Sequence, residues 1–537
     1  MSAGLATRRG GSRHAAPGAR ASFRADIQGI RALAVAMVLV FHLWPDALPG
    51  GFTGVDVFFV VSGFLMTRHI LRREPTMSVR RLLVDFYARR LRRLAPAASV
   101  VLAAVVAGSW AWLPFTEWKG VARNALASSV FIENWLMAKT STDYFAADGP
   151  ANALQHYWSL SVEEQFYIVW PLFIVLALLI ARRVRPLRGN PVALVAALTL
   201  ASFAYGLWAA DALPGTAYYV TPARVWQLTA GATVALLPLP GRKARALLPW
   251  IGLASIAAGA WMIHGENAYP GLAALWPTAG AVLMLLGGGR AGRFSFDALA
   301  AFRPIQWLGD ISYSLYLWHW PLIVLLPAAL GIELDSAARW PVAVLALAAG
   351  HLSYNLIENP VRRSHSLNTS FDKTYFAAFC ALTLVVGGCA AEVRQAEAET
   401  AQAEADAEQA RQRLASAAIG GRQCFGANAI GDPECPSPWG QLDPALGAAA
   451  SLDQFRAKRI DECFGGSGPE DLEMICHYGQ TGASRTVLVW GDSHAGALGG
   501  AFDVAGQIDG FQVVLAARAA CPAATAPPPG VVPDIVI

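Results

Sequence analysis

Residues 27–45 read IQGIRALAVAMVLVFHLWP, an apolar run whose only ionisable residues are Arg31 and His42. A run of about 20 such residues is what a helix needs to cross the hydrocarbon core of a bilayer. Arg31 and His42 are eleven residues apart, which on a helix is a rise of about 16 Å and a rotation only about 20° from the same face. One face therefore carries a permanent cation near one end and a titratable imidazole towards the other. Working outward, runs of comparable length recur at about 53–70, 95–113, 162–181, 191–210, 220–238, 247–263, 272–288, 305–326, 340–358 and 374–391. The chain is expected to hold a polytopic α-helical domain of about eleven transmembrane helices. A further stretch near 121–138 carries Arg123, Asn124, Glu133 and Asn134 and reads as interfacial or re-entrant.

Composition agrees. Of the 537 residues 55% are hydrophobic and 15% charged, with a mean hydropathy of +0.39. These values argue against a cytosolic enzyme, a disordered protein or a nucleic-acid binder. The net charge of +4 conceals two halves: residues 1–391 hold 33 Lys+Arg against 19 Asp+Glu, and residues 392–537 hold 9 against 19. Alternate loops carry the positive charge. Arg8, Arg9, Arg13, Arg20 and Arg24 precede the first span, and Arg72, Arg73, Arg80, Arg81, Arg89, Arg90, Arg92 and Arg93 follow the second. Arg182, Arg183, Arg185 and Arg188, then Arg242, Lys243 and Arg245, then Arg290, Arg293 and Arg303, and finally Arg362 and Arg363 repeat the signal. The positive-inside rule then places the N-terminus in the cytoplasm, and an odd number of spans places the C-terminal half outside.

Residues 1–25 contain no acidic residue and no apolar segment of their own, so they read as a disordered cytoplasmic tail before an uncleaved signal anchor. The membrane domain is expected over 26–365, an eleventh helix over 366–391, and an Ala-, Glu- and Gln-rich helical linker over 392–419. Residues 420–537 form the outer part. Five of the seven cysteines, Cys424, Cys435, Cys463, Cys476 and Cys521, lie there. That fits an oxidising compartment, with Cys424–Cys435 and Cys463–Cys476 as expected pairs. No histidine accompanies them at zinc-ligand spacing, and no metal is expected.

Ionisable groups inside spans are functional candidates because burying them in hydrocarbon is costly. Besides Arg31 and His42, the second span reads GVDVFFVVSGFL from Gly54, with Asp56 and Ser62. The fourth is entered through HYWSLSVEEQFY from His156, with Glu163 and Gln165. The ninth contains SYSLYLWHWPL from Ser312, with His319, and the tenth ends IENPVRR from Ile357, with Glu358. A cation and an imidazole on one face would suit an anionic, phosphate-bearing donor entering from the cytoplasm with its reactive end at a general base. Arg31 as a snorkelling side chain and His42 as a packing residue are the structural alternatives.

Taken together and in order over residues 24–365, these segments and the basic run FYARRLRRLAP from Phe86 resemble the membrane-bound acyltransferase family 3. The resemblance implies O-acylation, usually O-acetylation, of cell-surface carbohydrates such as O-antigen from cytoplasmic acetyl-CoA or another acyl-CoA. The acyl-CoA would be a co-substrate, with no bound cofactor. Arg31 and His42 would be the essential pair, Glu163 would assist catalysis, and Arg31 with Arg89, Arg90, Arg92 and Arg93 would hold the donor. The basic run also satisfies the positive-inside rule without binding anything. Asp56, Ser62, His156, Gln165, His319 and Glu358 are supporting candidates.

In the outer half, TVLVWGDSH from Thr486 reads as a buried strand ending in a tight turn at Gly491-Asp492-Ser493, followed by a second strand near Phe511–Leu515. Such a turn lifts a serine from the strand end beside backbone N–H groups that stabilise an oxyanion. The segment resembles the first block of SGNH hydrolases, an α/β/α fold, which would make Ser493 a nucleophile. That family's later Asp-x-x-His has no counterpart here, since no histidine follows His494, so the domain is expected to be incomplete. The combined reading is a bacterial inner-membrane O-acyltransferase with a periplasmic domain, acting on an envelope glycan and embedded in lipid. A transporter or flippase of an acylated carrier, and a membrane-tethered carbohydrate esterase, are the rivals.

Overall fold

The structure, a computed structural model, describes residues 24–73, 78–140, 152–184, 190–238, 240–264, 269–288 and 295–420. Beyond these it describes 464–465, 476–480, 482–491, 502–503, 506, 510–518 and 535–536. In chain order the helices begin α1 (Ala25–Leu43), α2 (Gly54–Arg73), α3 (Val79–Trp112), α4 (Phe115–Ser129) and α5 (Glu133–Thr140). They continue α6 (Tyr157–Arg183), α7 (Val192–Ala212), α8 (Val225–Leu236), α9 (Arg242–Met262), α10 (Leu275–Gly287) and α11 (Phe296–Ala300). The last are α12 (Arg303–Leu330), α13 (Arg339–Ser353), α14 (Asn359–Arg363), α15 (His365–Thr369) and α16 (Phe371–Gly420).

Among the described residues nine helical segments are long and apolar enough to cross a membrane, and α8 and α10 are shorter apolar helices. These two stand where the sixth and eighth spans were expected. With 12 residues, α8 rises only about 18 Å, well short of a hydrocarbon core of about 30 Å. The residues ahead of it are spent on two tight 3-10 turns, Thr216–Tyr218 and Thr221–Ala223. Gly215, at φ +83°, sets the first turn, and Pro222 lacks the N–H that a longer helix would need. A 3-10 turn, Leu272–Ala274, likewise precedes α10. The basic stretch after α2, read as loop, is mostly the first half of α3. Leu82, Phe86 and Ala88 are buried there, so an apolar face holds the arginine-bearing turns in helix.

The chain forms two compact units. The first contains residues 1–97, 162–320 and 335–371. In it α2 and α8 cross closely: a Cβ on Gly63 would overlap the Leu228 carbonyl, and one on Gly231 would overlap that of Val60. Small residues let backbones meet where, in lipid, no hydrophobic force drives helices together. On α6, Ile168, Leu172, Leu176 and Leu179 stay exposed while Tyr167, Trp170, Ile174 and Leu178 are buried. The first set is the lipid-facing stripe and the second the packed one.

The second unit contains residues 98–161, 321–334 and 372–537. Here the end of α3 meets α16 through a hydrogen bond between Ser109 and Glu392, and Trp118 on α4 donates to the Ser109 and Leu113 carbonyls, at 3.1 Å each. The 50 residues of α16 are one unbroken helix, about 75 Å long, so the expected eleventh span and linker are a single element.

Five strands follow: β1 (Phe464–Gly465), β2 (Cys476–Gly479), β3 (Thr486–Gly491), β4 (Gln512–Arg518) and β5 (Ile535–Val536). Their order is β1-β4-β3-β5, with β2 antiparallel to β4 and every other pairing parallel. Val487, Leu488, Val489, Val513, Val514 and Leu515 are all buried, the continuous apolar run that a parallel strand covered on both faces requires. Cys476 is disulfide-bonded. Cys424, Cys435 and Cys463 lie outside the described residues.

Candidate active site

The contacts of His42, Arg31, the basic run and Asp56 all lie within the first unit. His42, one residue before the end of α1, places Nδ1 3.0 Å from Nε2 of His319 on α12. The two rings stack at 23° with centroids 5.1 Å apart, and Trp320 packs on His42 at 4.7 Å. His319 Nδ1 in turn sits 2.6 Å from the Tyr316 carbonyl oxygen. Arg31, on the same uninterrupted helix, donates to Gln28 Oε1 at 2.7 Å, and Gln28 donates to Asp310 at 2.5 Å. Its electrostatic neighbours also include Arg93, Glu358 and Arg362. Glu358 is presented by a π-helical turn, Tyr354–Glu358, which forms because Pro360 cannot donate to the preceding turn. Its carboxylate accepts from Ser314 at 2.9 Å.

The helix separates the arginines of the basic run. Arg89 is tied to Asp85, which Arg73 also reaches at 2.5 Å, and Arg92 donates to the Leu367 carbonyl at 3.0 Å. Arg90 lies over the Tyr167 ring at 3.7 Å, with Glu164 at 3.5 Å. Arg93 keeps a buried Nε with no hydrogen-bond partner and shares the field of Arg31 and Glu358. Glu163 is hydrogen-bonded to Ser62 and accepts from Tyr167 at 2.8 Å. Gln165 accepts from Thr221 at 2.6 Å.

Asp56 anchors a cluster that the sequence reading largely missed. Arg224 reaches it at 3.0 Å and Tyr269 at 2.5 Å, and Gln227 donates to the same carboxylate. Arg224 also donates to the Tyr218 carbonyl at 2.9 Å and lies over the Tyr218 and Tyr269 rings. Burial, then the charge of Asp56, holds the Tyr269 phenol well above its usual pKa, so it remains a donor. A signal existed: Arg224 is an arginine inside an expected span. Nothing in the sequence marked Tyr269. Phe52 links the clusters, with its ring 5.0 Å from Tyr269 and 5.4 Å from Phe41, the neighbour of His42.

His156 belongs to the second unit, buried and edge-on to Tyr157 at 4.9 Å. Gly491 ends β3. Asp492 and Ser493 lie outside the described residues.

Comparison with known proteins places residues 24–386 in a family described as acyltransferase domain, and residues 462–533 in one described as the SGNH domain fused to such domains. Peptidoglycan O-acetyltransferase OatA of Listeria monocytogenes is 33% identical over 65% of this chain and 58% of its own length. The putative membrane-bound transacylase BcsY of Komagataeibacter xylinus is 36% identical over 62% of this chain and 82% of its own. The putative peptidoglycan O-acetyltransferase YrhL of Bacillus subtilis is 31% identical over 63% and 54%. The chain thus spans little more than half of the two relatives named for peptidoglycan. No solved structure gives a significant match. With the polar interior of the first unit and the parallel sheet after α16, these matches make the chain a member of the membrane-bound acyltransferase family 3 fused to an SGNH domain.

Proposed function

We propose that this protein moves an acyl group, acetyl in the simplest case, from acyl-CoA to a hydroxyl of an envelope glycan. The observation that carries this reading is the shared helix of Arg31 and His42, separated by about 16 Å along α1. One end offers two half-buried arginines that share an electrostatic neighbourhood, Arg31 and Arg93, suited to the phosphates of CoA. The other offers an imidazole held by a neighbour. The extended pantetheine arm of CoA spans a gap of that order.

In the base role, His42 Nε2 takes the proton of the attacking hydroxyl as its oxygen bonds to the thioester carbonyl carbon. The C–S bond breaks, and the departing thiolate takes that proton from Nε2, leaving an ester and a free thiol. As acyl carrier, His42 would use the same lone pair on the carbonyl carbon. Positive charge on every second loop, and so on one side of the membrane, favours a cytoplasmic N-terminus and donor. Ser493, following β3, would receive or deliver the acyl group outside, with turn N–H groups stabilising the oxyanion. The names of the Listeria and Bacillus relatives favour peptidoglycan as acceptor.

Proteoliposomes of the full chain supplied with labelled acetyl-CoA on one face and peptidoglycan fragments on the other test the proposal. CoA release is expected when the donor faces the N-terminal side. Release only from the opposite face, or none from either, would overturn it.

A further inference from the structure

Both ring nitrogens of His319 are engaged. Nδ1 is 2.6 Å from the Tyr316 carbonyl oxygen, and Nε2 is 3.0 Å from His42 Nδ1. A carbonyl oxygen only accepts, so His319 donates from Nδ1. In the neutral ring its Nε2 then holds a lone pair, and hydrogen positions follow from this network. The proton between the two histidines therefore belongs to His42 Nδ1. The remaining nitrogen of His42, Nε2, is left with the basic lone pair. His319 is 1% exposed, and Trp320 packs on His42, contacts that restrain both rings.

We propose that His319 is a positioning residue, fixing His42 as the Nδ1–H tautomer so that Nε2 alone faces the acyl-transfer chemistry. This rests on the reading of His42 given above and adds the group that orients it, since the hydrogen bond at one imidazole nitrogen determines which other nitrogen reacts. When Nε2 takes the hydroxyl proton, the imidazolium keeps its Nδ1–H on His319. When the thiolate takes that proton back, the starting tautomer is restored with no ring movement.

The experiment compares wild type with His319→Ala, His319→Gln and His319→Asn, full-length in proteoliposomes. It measures kcat and KM for CoA release from acetyl-CoA with peptidoglycan fragments as acceptor, together with 15N spectra of histidine-labelled protein. The chain has ten histidines, and a His42→Ala sample identifies the signal of interest. A Gln carbonyl reaches where Nε2 lay, whereas Asn reaches only as far as Nδ1. His319→Ala and His319→Asn should lose about 10²-fold in kcat with KM within about twofold, and His319→Gln should stay within about tenfold of wild type. The His42 signal should report Nδ1–H in wild type and His319→Gln, and lose that preference in His319→Ala. Near-wild-type kcat in His319→Ala, equal activity of the Gln and Asn variants, or an Nε2–H tautomer of His42 in wild type would overturn the proposal. If wild type releases no CoA, the donor reading fails, and the 15N signature still decides the role of His319.

Discussion

Arg224 Nη1 lies 3.0 Å from Asp56 Oδ1, with 1% and 2% of the two side chains exposed, and so joins the residue just ahead of α8 to the first turn of α2. Removing one partner of a buried ion pair strands the other charge, at a cost of about 3–5 kcal/mol, whereas removing both is far milder. Asp56→Ala and Arg224→Ala should each lower the thermal midpoint in detergent sharply, and the double variant should lie well above the sum of the two losses. Additive losses would mean that the pair is not coupled.

The crossing of α2 and α8 has no room for a side chain at Gly63. Gly63→Ala forces the Leu228 backbone outward and should cost about 1–3 kcal/mol, with Gly63→Leu giving little folded protein by size-exclusion chromatography. A control at Gly387, where a Cβ would meet nothing, should behave as wild type.

Arg89, Arg90 and Arg93 each keep a buried Nε without a hydrogen-bond partner, but Arg89 and Arg90 are ion-paired with Asp85 and Glu164, so among these three Arg93 is the candidate for an incoming anion. Loss of a charge-assisted hydrogen bond worth about 1.5–3 kcal/mol predicts that Arg93→Ala raises KM for acetyl-CoA by at least about tenfold, with a much smaller change in kcat. Steady-state CoA release measures both. An unchanged KM would remove Arg93 from the donor site.

His42→Ala should abolish turnover while leaving expression and the detergent melting curve close to wild type, since His42 is half-buried near a helix end. Near-normal transfer by well-folded His42→Ala protein would reduce the residue to packing and favour transport over catalysis.

Glu133, fully buried at the start of α5 and accepting from Asn152 at 2.9 Å, has its carboxyl pushed up by burial from 4.5 to about 8. The folded form keeps a proton that the unfolded chain has already lost, so stability falls as pH rises between those values and levels off above them. Glu133→Gln keeps the oxygen that Asn152 binds and removes the titration. The variant should match wild type near pH 4 and melt progressively higher than wild type towards pH 9. Parallel melting curves across that range would contradict the assignment.

The sequence by itself determined where the long spans lie, because hydrocarbon demands about 20 apolar residues in helix. It also determined that Arg31 and His42 share a face, because α1 is unbroken between them and helical periodicity is local. The parallel strands β3 and β4 were legible as unbroken apolar runs. Periodicity reports which face of a helix is special and says nothing of what that face meets. His319 is 277 residues from His42, Arg224 is 168 from Asp56 and Glu163 is 101 from Ser62. Only helix packing, closed in on glycines such as Gly63 and Gly231, brought these pairs together. The same packing separated the arginines of the basic run, because neighbours on a helix point about 100° apart. Arg89 is thereby paired with Asp85, Arg90 with Glu164 and Arg92 with the Leu367 carbonyl, while Arg93 shares the field of Arg31 and Glu358. The shortness of α8 was likewise a tertiary outcome: its apolar run is long enough on paper, but the turn that carries Arg224 to Asp56 takes its first residues.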